Sequence, residues 1–445
     1  MKWRDRLTDG PAFLEPAGRL PEIPQPPVAV SPSSRRSVAR PSTYVLSAVY
    51  ALGLWRIGTV LWRGLADFPV ATITATLLFA LYALPFILLV RTIDYLEREP
   101  LQLQVMAFLW GGVVATSAAL NGGEAVQDLL AKLISPAAAS TWGPAVTGAA
   151  VEELVKVAGV IAIALLAPRQ INSVVDGFVY GALVGLGFQV VENVVFALGA
   201  VALDAGVDAV QPVIATLLVR GFLGGLWSHT LFTALAGAGV GFFVARRDRP
   251  IWQRTVVAFT LFVTAAGFHF LWNSPVLAGG VELGLLAVAA MVLVKGIPAL
   301  LVGVVLLVAA ERRQADYYAG LLAGLGDPRI ATADEIRALV SPRRRGAARR
   351  HAQLRLGWRG ARAVRRVQRA QAHLAVALSR DPGAEVLRRR RDVLSRRHQL
   401  LALSMHGRDR PQWGTAKTRA AVAIGEAVAV GLVALGLALA IRDLT

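Results

Sequence analysis

The chain has 445 residues, is 55% hydrophobic, and carries a formal net charge of +18 with a mean hydropathy of +0.54. It contains no cysteine, which excludes a disulfide framework, a thiolate metal site and a thiol nucleophile. Repeated apolar runs, each about 20 residues or more and so long enough to cross a hydrocarbon core of ~30 Å, predict an all-α polytopic membrane protein rather than a soluble globule.

Residues 1–43 are polar and proline-rich ("PEIPQPPVAVSPSS") and read as a disordered cytoplasmic tail; no cleavable signal peptide is apparent. Spans follow near 44–64, 69–90, 101–120, 144–167, 174–199, 212–245 with an interfacial lead-in, 254–273 and 283–310. Together these make a core of about eight transmembrane helices over 44–310. The Arg-rich stretch 311–420 is expected to be a cytoplasmic helical insertion, and 421–445 to hold a ninth span near 421–441. The loops set the orientation. "RTIDYLEREP", "PRQINS" and "RRDRPIWQR" fall on one side, whereas "AVALDAGVDAVQ" and "SPVLAGG", without Lys or Arg, fall on the other. By the positive-inside rule this puts the N-terminus in the cytoplasm and the final "IRDLT" outside the cell membrane.

About half of all Lys and Arg lie between Glu311 and Arg410. The concentration beside a membrane core fits a segment retained inside, with anionic lipids or a cytoplasmic partner as what it would bind, and gives no reason to expect specific nucleic-acid recognition. "TADEIRALV" has the spacing of a capping box from Thr332 to Glu335, and "SRDPGAEV" breaks two longer Arg-rich helices. A packed helical hairpin and an amphipathic surface helix both fit their pattern.

The spans themselves carry polar groups: Glu152, Glu153 and Lys156 in the fourth, Glu192 and Asn193 in the fifth, His229 in the sixth, His269 and Asn273 in the seventh, and Lys295 in the eighth, beside Arg56 in the first. A charge at the centre of a membrane helix costs roughly 2.5–3.5 kcal/mol on insertion scales, so such residues default to function. At 1.5 Å rise per residue, Glu153 lies about 21 Å above the cytoplasmic end of its span, Glu192 about 28 Å, His229 and His269 about 24 Å, and Lys295 about 23 Å. The groups thus form one layer in the outer half of the membrane, and Lys295 is expected to face the bundle as a counter-ion. Glu152 and Glu153 diverge by about 100° around the helix, so they are not expected to address the same atom. Lys156, at i+4 and i+3, can pair with either. One glutamate would be neutralised or oriented by Lys156 while the other faces the cavity. The glycines Gly177, Gly181 and Gly185 predict close helix packing.

Carboxylates, two imidazoles and an amide in one water-accessible layer suit hydrolysis: a glutamate deprotonates water, and His or Asn donates to the oxyanion. Glu192, His229 and His269 are alternatively ordinary zinc ligands, although no HExxH motif is present.

The motifs "EELVK", "DGFVYGALVGLGFQVVEN", "RGFLGGLWSHTLFTALAG" and "HFLWN", in this order over 144–275, resemble the PrsW family of bacterial intramembrane proteases, distant relatives of the CAAX prenyl-protein proteases. The resemblance implies a glutamate-dependent, metal-assisted or metal-free endopeptidase acting on a membrane-anchored protein such as an anti-sigma factor. Its catalytic residues would be Glu152 and Glu153, completed by Glu192, His229 and His269, with Asn273 assisting. Lys156, Asn193 and Lys295 would support them. The Arg-rich segment and ninth span lie outside the family pattern. Two other classes remain open on the sequence: a proton-coupled transporter whose Glu and His titrate, against which no internal repeat is evident, and a non-catalytic scaffold or sensor.

Overall fold

The computed structural model describes residues 41–93, 99–168, 170–204, 206–223, 228–276, 285–380 and 383–406. These residues are helical, with no strand among them. The chain runs through α1 (Pro41–Asp67), α2 (Pro69–Ile93) and α3 (Leu101–Leu109), then through a π-helical turn (Trp110–Ala115) into α4 (Thr116–Leu133). Next, α5 (Pro136–Thr147) passes through a second π turn (Gly148–Glu152) into α6 (Glu153–Leu166). After α7 (Val174–Leu203), α8 (Gln211–Thr216) runs into a third π turn (Leu217–Leu223), and α9 (His229–Ala245), α10 (Ile251–Asn273) and α11 (Leu285–Gly324) follow.

Six helical stretches among the described residues are long and apolar enough to span a membrane: Thr43–Asp67, Pro69–Ile93, Leu101–Leu133, Val174–Leu203, Ile251–Asn273 and Ala289–Gly324. They make the chain a multi-pass membrane protein. The span expected at 144–167 is the composite of α5, π turn and α6. Over the stretch expected at 212–245, the described residues form two shorter apolar helices, Gln211–Leu223 and His229–Ala245, the second preceded by Ser228 in a non-helical conformation. The tail up to residue 40 and the ninth span at 421–441 lie outside the described residues.

The outer helices keep apolar side chains on the outside, as lipid requires: Trp55, Trp62, Leu77 and Leu88 of α1 and α2 are exposed. Helix α7 is the opposite, buried along nearly its whole length. Ser173 caps it in a reciprocal box with Asp176. Its glycines let α9 approach at backbone distance: a Cβ on Gly177, Gly181 or Gly185 would meet the carbonyl oxygens of Gly237, Thr233 and His229, each at 2.2 Å. This is the packing expected of that stripe. At one end of the bundle Asp208, in the loop after α7, accepts from the amides of Val70 and Ala71 at 2.8 Å and caps α2. Asp208 therefore lies on the same side of the bundle as the α1–α2 turn.

The chain forms two compact units, divided between Gln314 and Ala315. In the second, α12 (Ala333–Val340) carries the expected capping box, with Thr332 and Glu335 bonded reciprocally. Helices α13 (Pro342–Arg380) and α14 (Ala384–His406) pack into a hairpin around Val364, Val367 and Leu400. Gly357, at φ 68°, breaks α13 where only glycine sits without strain. Arg397 pairs with buried Glu335 at 2.6 Å. Asp327 joins Arg329 and Arg390, at 3.0 and 2.6 Å, and those guanidinium hydrogen bonds hold its carboxyl well below the ordinary range.

Candidate active site

The second π turn ends at Glu152, and α6 begins at Glu153. Such turns recur at functional sites because the extra residue re-aims the side chains beside it. Here the two glutamates converge on one atom, contrary to the expectation from their 100° divergence. Nζ of Lys156 lies 3.0 Å from Oε2 of Glu152 and 3.1 Å from Oε1 of Glu153. The lysine stem rises between side chains one turn back and draws both carboxylates onto its ammonium. That ammonium is fully buried, sits 3.6 Å above the Phe188 ring, and lies 3.0 Å from Nδ1 of His229.

Each histidine is held by a second carboxylate. His269 approaches Oε1 of Glu153 through Nδ1 at 2.9 Å, and His229 approaches Oε2 of Glu192 through Nε2 at 2.9 Å. Because an ionised carboxylate only accepts, these ring nitrogens carry the protons. The remaining nitrogens, Nε2 of His269 and Nδ1 of His229, present lone pairs to Oε2 of Glu152 at 3.7 and 4.0 Å. Nε2 of His269 is buried without a hydrogen-bond partner among the described residues.

The glutamates divide their work by burial. Glu153 is 0% exposed, and its second oxygen, Oε2, accepts from Thr233 at 3.2 Å, so this carboxylate orients His269 and closes the back of the site. Glu152 keeps 13% of its side chain exposed and faces both imidazoles. Thr233 was not among the sequence candidates, although it lies one turn after His229 on the same face of α9.

Glu192 is also gripped by Arg220, whose guanidinium reaches it at 2.6 Å, bonds Oδ1 of Asn193 at 3.0 Å and stacks 3.6 Å over Phe196. Arg220 is therefore a site residue by contact. Asn273 donates to the carbonyl of Pro144 at 3.3 Å. It lies with His269 over Gly148, where a Cβ would stand 2.8 Å from Nε2 of His269 and 2.8 Å from Nδ2 of Asn273. Trp110, from the first π turn, donates to the carbonyl of Val155 at 2.8 Å, with its ring against Gly159. Lys295 faces the bundle as expected, but its partners among the described residues are the carbonyls of Trp272 and Ser274 at the C-terminal end of α10, at 3.3 and 2.8 Å, rather than a carboxylate. A cavity of about 170 Å³ opens beside His229, bordered by Asn193, Arg220, Trp272, Val292 and Lys295.

Among the described residues, the cluster that could hold a metal ion is not the set expected from the sequence. Glu152, His229 and His269 each offer one ligand atom, all within 4.8 Å of one another. Glu192 sits behind His229 as an orienting carboxylate instead of joining them. One carboxylate and two carboxylate-backed imidazoles fit a catalytic metal with three protein ligands, and the orphaned Nε2 of His269 is a donor that such an ion would satisfy.

No curated protein and no solved structure matches the chain in these comparisons. Residues 99–301, which contain every glutamate and histidine of the site, match the family model described as PrsW family intramembrane metalloprotease, and over this stretch the chain is similar to that family.

Proposed function

We propose that this site hydrolyses a peptide bond of a membrane-anchored protein near the extracytoplasmic side of the membrane, with Glu152 as the group that activates water. The observation that supports this reading is the convergence of Oε2 of Glu152 with Nδ1 of His229 and Nε2 of His269. In the proposed step Glu152 accepts a proton from water, and the hydroxide adds to the scissile carbonyl carbon. The intermediate then expels the amine, which leaves with the proton returned by Glu152. The Lys156 ammonium stabilises the oxyanion. Glu153 and Glu192 hold the two imidazoles in register, and Lys156 balances the buried negative charge.

Glu152, His229 and His269 are also the residues that would hold a metal such as zinc. When bound there, the ion would polarise the scissile carbonyl and lower the pKa of a water. The outer-half depth and the charge asymmetry of the loops support a cytoplasmic N-terminus and a substrate cut on its extracytoplasmic side, as an anti-sigma factor would be. The Arg-rich helices α13 and α14 support contact of the second unit with anionic lipid headgroups at the cytoplasmic face.

The test is cleavage of single-span substrates by the protein reconstituted in lipid vesicles. Glu152→Gln should reduce cleavage by about 10³-fold or more while insertion and helical content persist. Full activity in Glu152→Gln, His229→Ala and His269→Ala together would refute the assignment.

A further inference from the structure

The cavity beside His229 holds two hydrogen-bond donors that the hydrolytic mechanism leaves unused. Lys295, on α11, is 5% exposed and borders the cavity. Its ammonium donates to two carbonyls, and no carboxylate lies within ion-pair reach of it among the described residues. Helix C-terminal carbonyls carry only about half an elementary charge, so a full buried cation is left incompletely compensated. Asn193, on α7, is 1% exposed, with its oxygen committed to Arg220; its buried Nδ2 has no hydrogen-bond partner among the described residues. The other cation on the wall, Arg220, is already neutralised by Glu192. Among the described residues, none of those bordering the cavity is acidic.

A buried amide donor and an incompletely compensated ammonium bordering one cavity call for an anionic acceptor, since leaving a buried donor unmet costs its full desolvation. At about 170 Å³ the cavity is smaller than those that enclose drug-sized ligands, typically about 300–1,000 Å³, and suits one side chain. It adjoins His229, one of the three residues facing the reacting centre. Resting on the peptidase reading of that triad, we propose that this cavity is a specificity pocket for an acidic side chain of the substrate close to the scissile bond. Lys295 supplies the counter-charge and Nδ2 of Asn193 a hydrogen bond.

The experiment measures binding, so that it does not depend on cleavage. Single-span peptides carrying one glutamate at successive positions of their outer turns, each with its glutamine twin, are titrated into full-length Glu152→Gln protein in phosphatidylcholine nanodiscs. At one position or more the glutamate peptide should bind about tenfold tighter than its twin, the difference between a charged and a neutral acceptor. Adding Lys295→Met should erase that ratio, and Lys295→Arg should retain it. Lys295→Gln, which still donates to the carbonyls, replaces the Met variant if the latter fails to assemble. A ratio near one at every position, or a ratio unchanged without the lysine, overturns the pocket. Lys295-dependent retention of phosphatidylglycerol without any glutamate preference would also overturn it, assigning the cavity to a lipid phosphate. A clear glutamate preference in a protein whose wild type cleaves none of these peptides supports the pocket and counts against the peptidase reading alone.

Discussion

Lys156 and His229, 73 residues apart in the chain, meet with Nζ 3.0 Å from Nδ1. This contact ties α6 to α9 at the centre of the site, and the same ammonium carries both Glu152 and Glu153. Substituting Lys156 by methionine keeps the stem and leaves two carboxylates without their cation. Breaking a buried pair from one side costs roughly 3–5 kcal/mol. Lys156→Met should therefore unfold at markedly lower temperature in detergent, and Lys156→Met combined with Glu153→Gln should recover part of the loss. Wild-type thermal stability in the single variant would refute the counter-ion role.

Glu153 and Glu152 should separate kinetically. Glu153 touches His269, Lys156 and Thr233 but is fully buried, so Glu153→Gln should misorient His269 and weaken turnover by about 10–100-fold, the usual effect of losing a carboxylate behind a functional imidazole. Glu152→Gln should eliminate turnover while leaving stability nearly unchanged. Cleavage rates and melting curves on both variants decide the matter, and equal losses would contradict the division of roles.

Metal affinity offers an independent check on the donor set. Zinc titrated into the purified protein should bind at one site that is lost in His229→Ala or His269→Ala. Glu192→Gln, which removes only the carboxylate behind His229, should weaken binding by about 10–100-fold without abolishing it. Elemental analysis and calorimetry measure this. Complete loss in Glu192→Gln with retention in Glu152→Gln would restore the donor set expected from the sequence.

Two glycines give opposite outcomes. A methyl at Gly185 meets the backbone carbonyl of His229 at 2.2 Å and has nowhere to go, so Gly185→Ala should cost about 1–3 kcal/mol or more and lower the yield of folded protein. At Gly148 the methyl meets the tips of His269 and Asn273, each at 2.8 Å. Gly148→Ala should fold but lose activity by about 10²-fold, because the imidazole is displaced from a position that tolerates roughly 1 Å or less. Melting curves paired with cleavage rates test both.

In the second unit, Asp327 provides a pH test. Its carboxyl is held down by hydrogen bonds from Arg329 and Arg390. The unfolded chain therefore takes up this proton more readily than the folded one, and the stabilisation is present above the ordinary aspartate value of about 4 and lost as pH falls below it. Proteolysis of the 327–406 segment should accelerate between about pH 4 and pH 2, and Asp327→Asn should remove this contribution.

Much of this was legible in the sequence for a physical reason: a charged side chain in an apolar helix is expensive enough to mark its own importance. The layer of Glu152, Glu153, Glu192, His229 and His269 was recoverable from helical rise alone, and those residues do meet. The Gly177, Gly181, Gly185 stripe and the Thr332–Glu335 capping box were readable because each depends on a fixed local spacing. What spacing did not reveal was the winding. The π turn ending at Glu152 has no sequence signature of its own, so the angular argument about the two glutamates failed there. The partner of Arg220 and the place of Glu152, instead of Glu192, in the cluster that could hold a metal depend on tertiary approach between α6, α7 and α9, which periodicity does not encode. Thr233 is an ordinary apolar-helix threonine until Glu153 is placed opposite it.

The most direct measurement of the central claim is hydrolysis of a single-span substrate in water enriched in ¹⁸O, with the new C-terminus read by mass spectrometry in wild type and in Glu152→Gln. The account predicts one ¹⁸O in the new carboxylate of the wild-type product, a cut in the extracytoplasmic half of the span, and no product from Glu152→Gln. An intact substrate with wild-type protein, or the same labelled product from the variant, would contradict it.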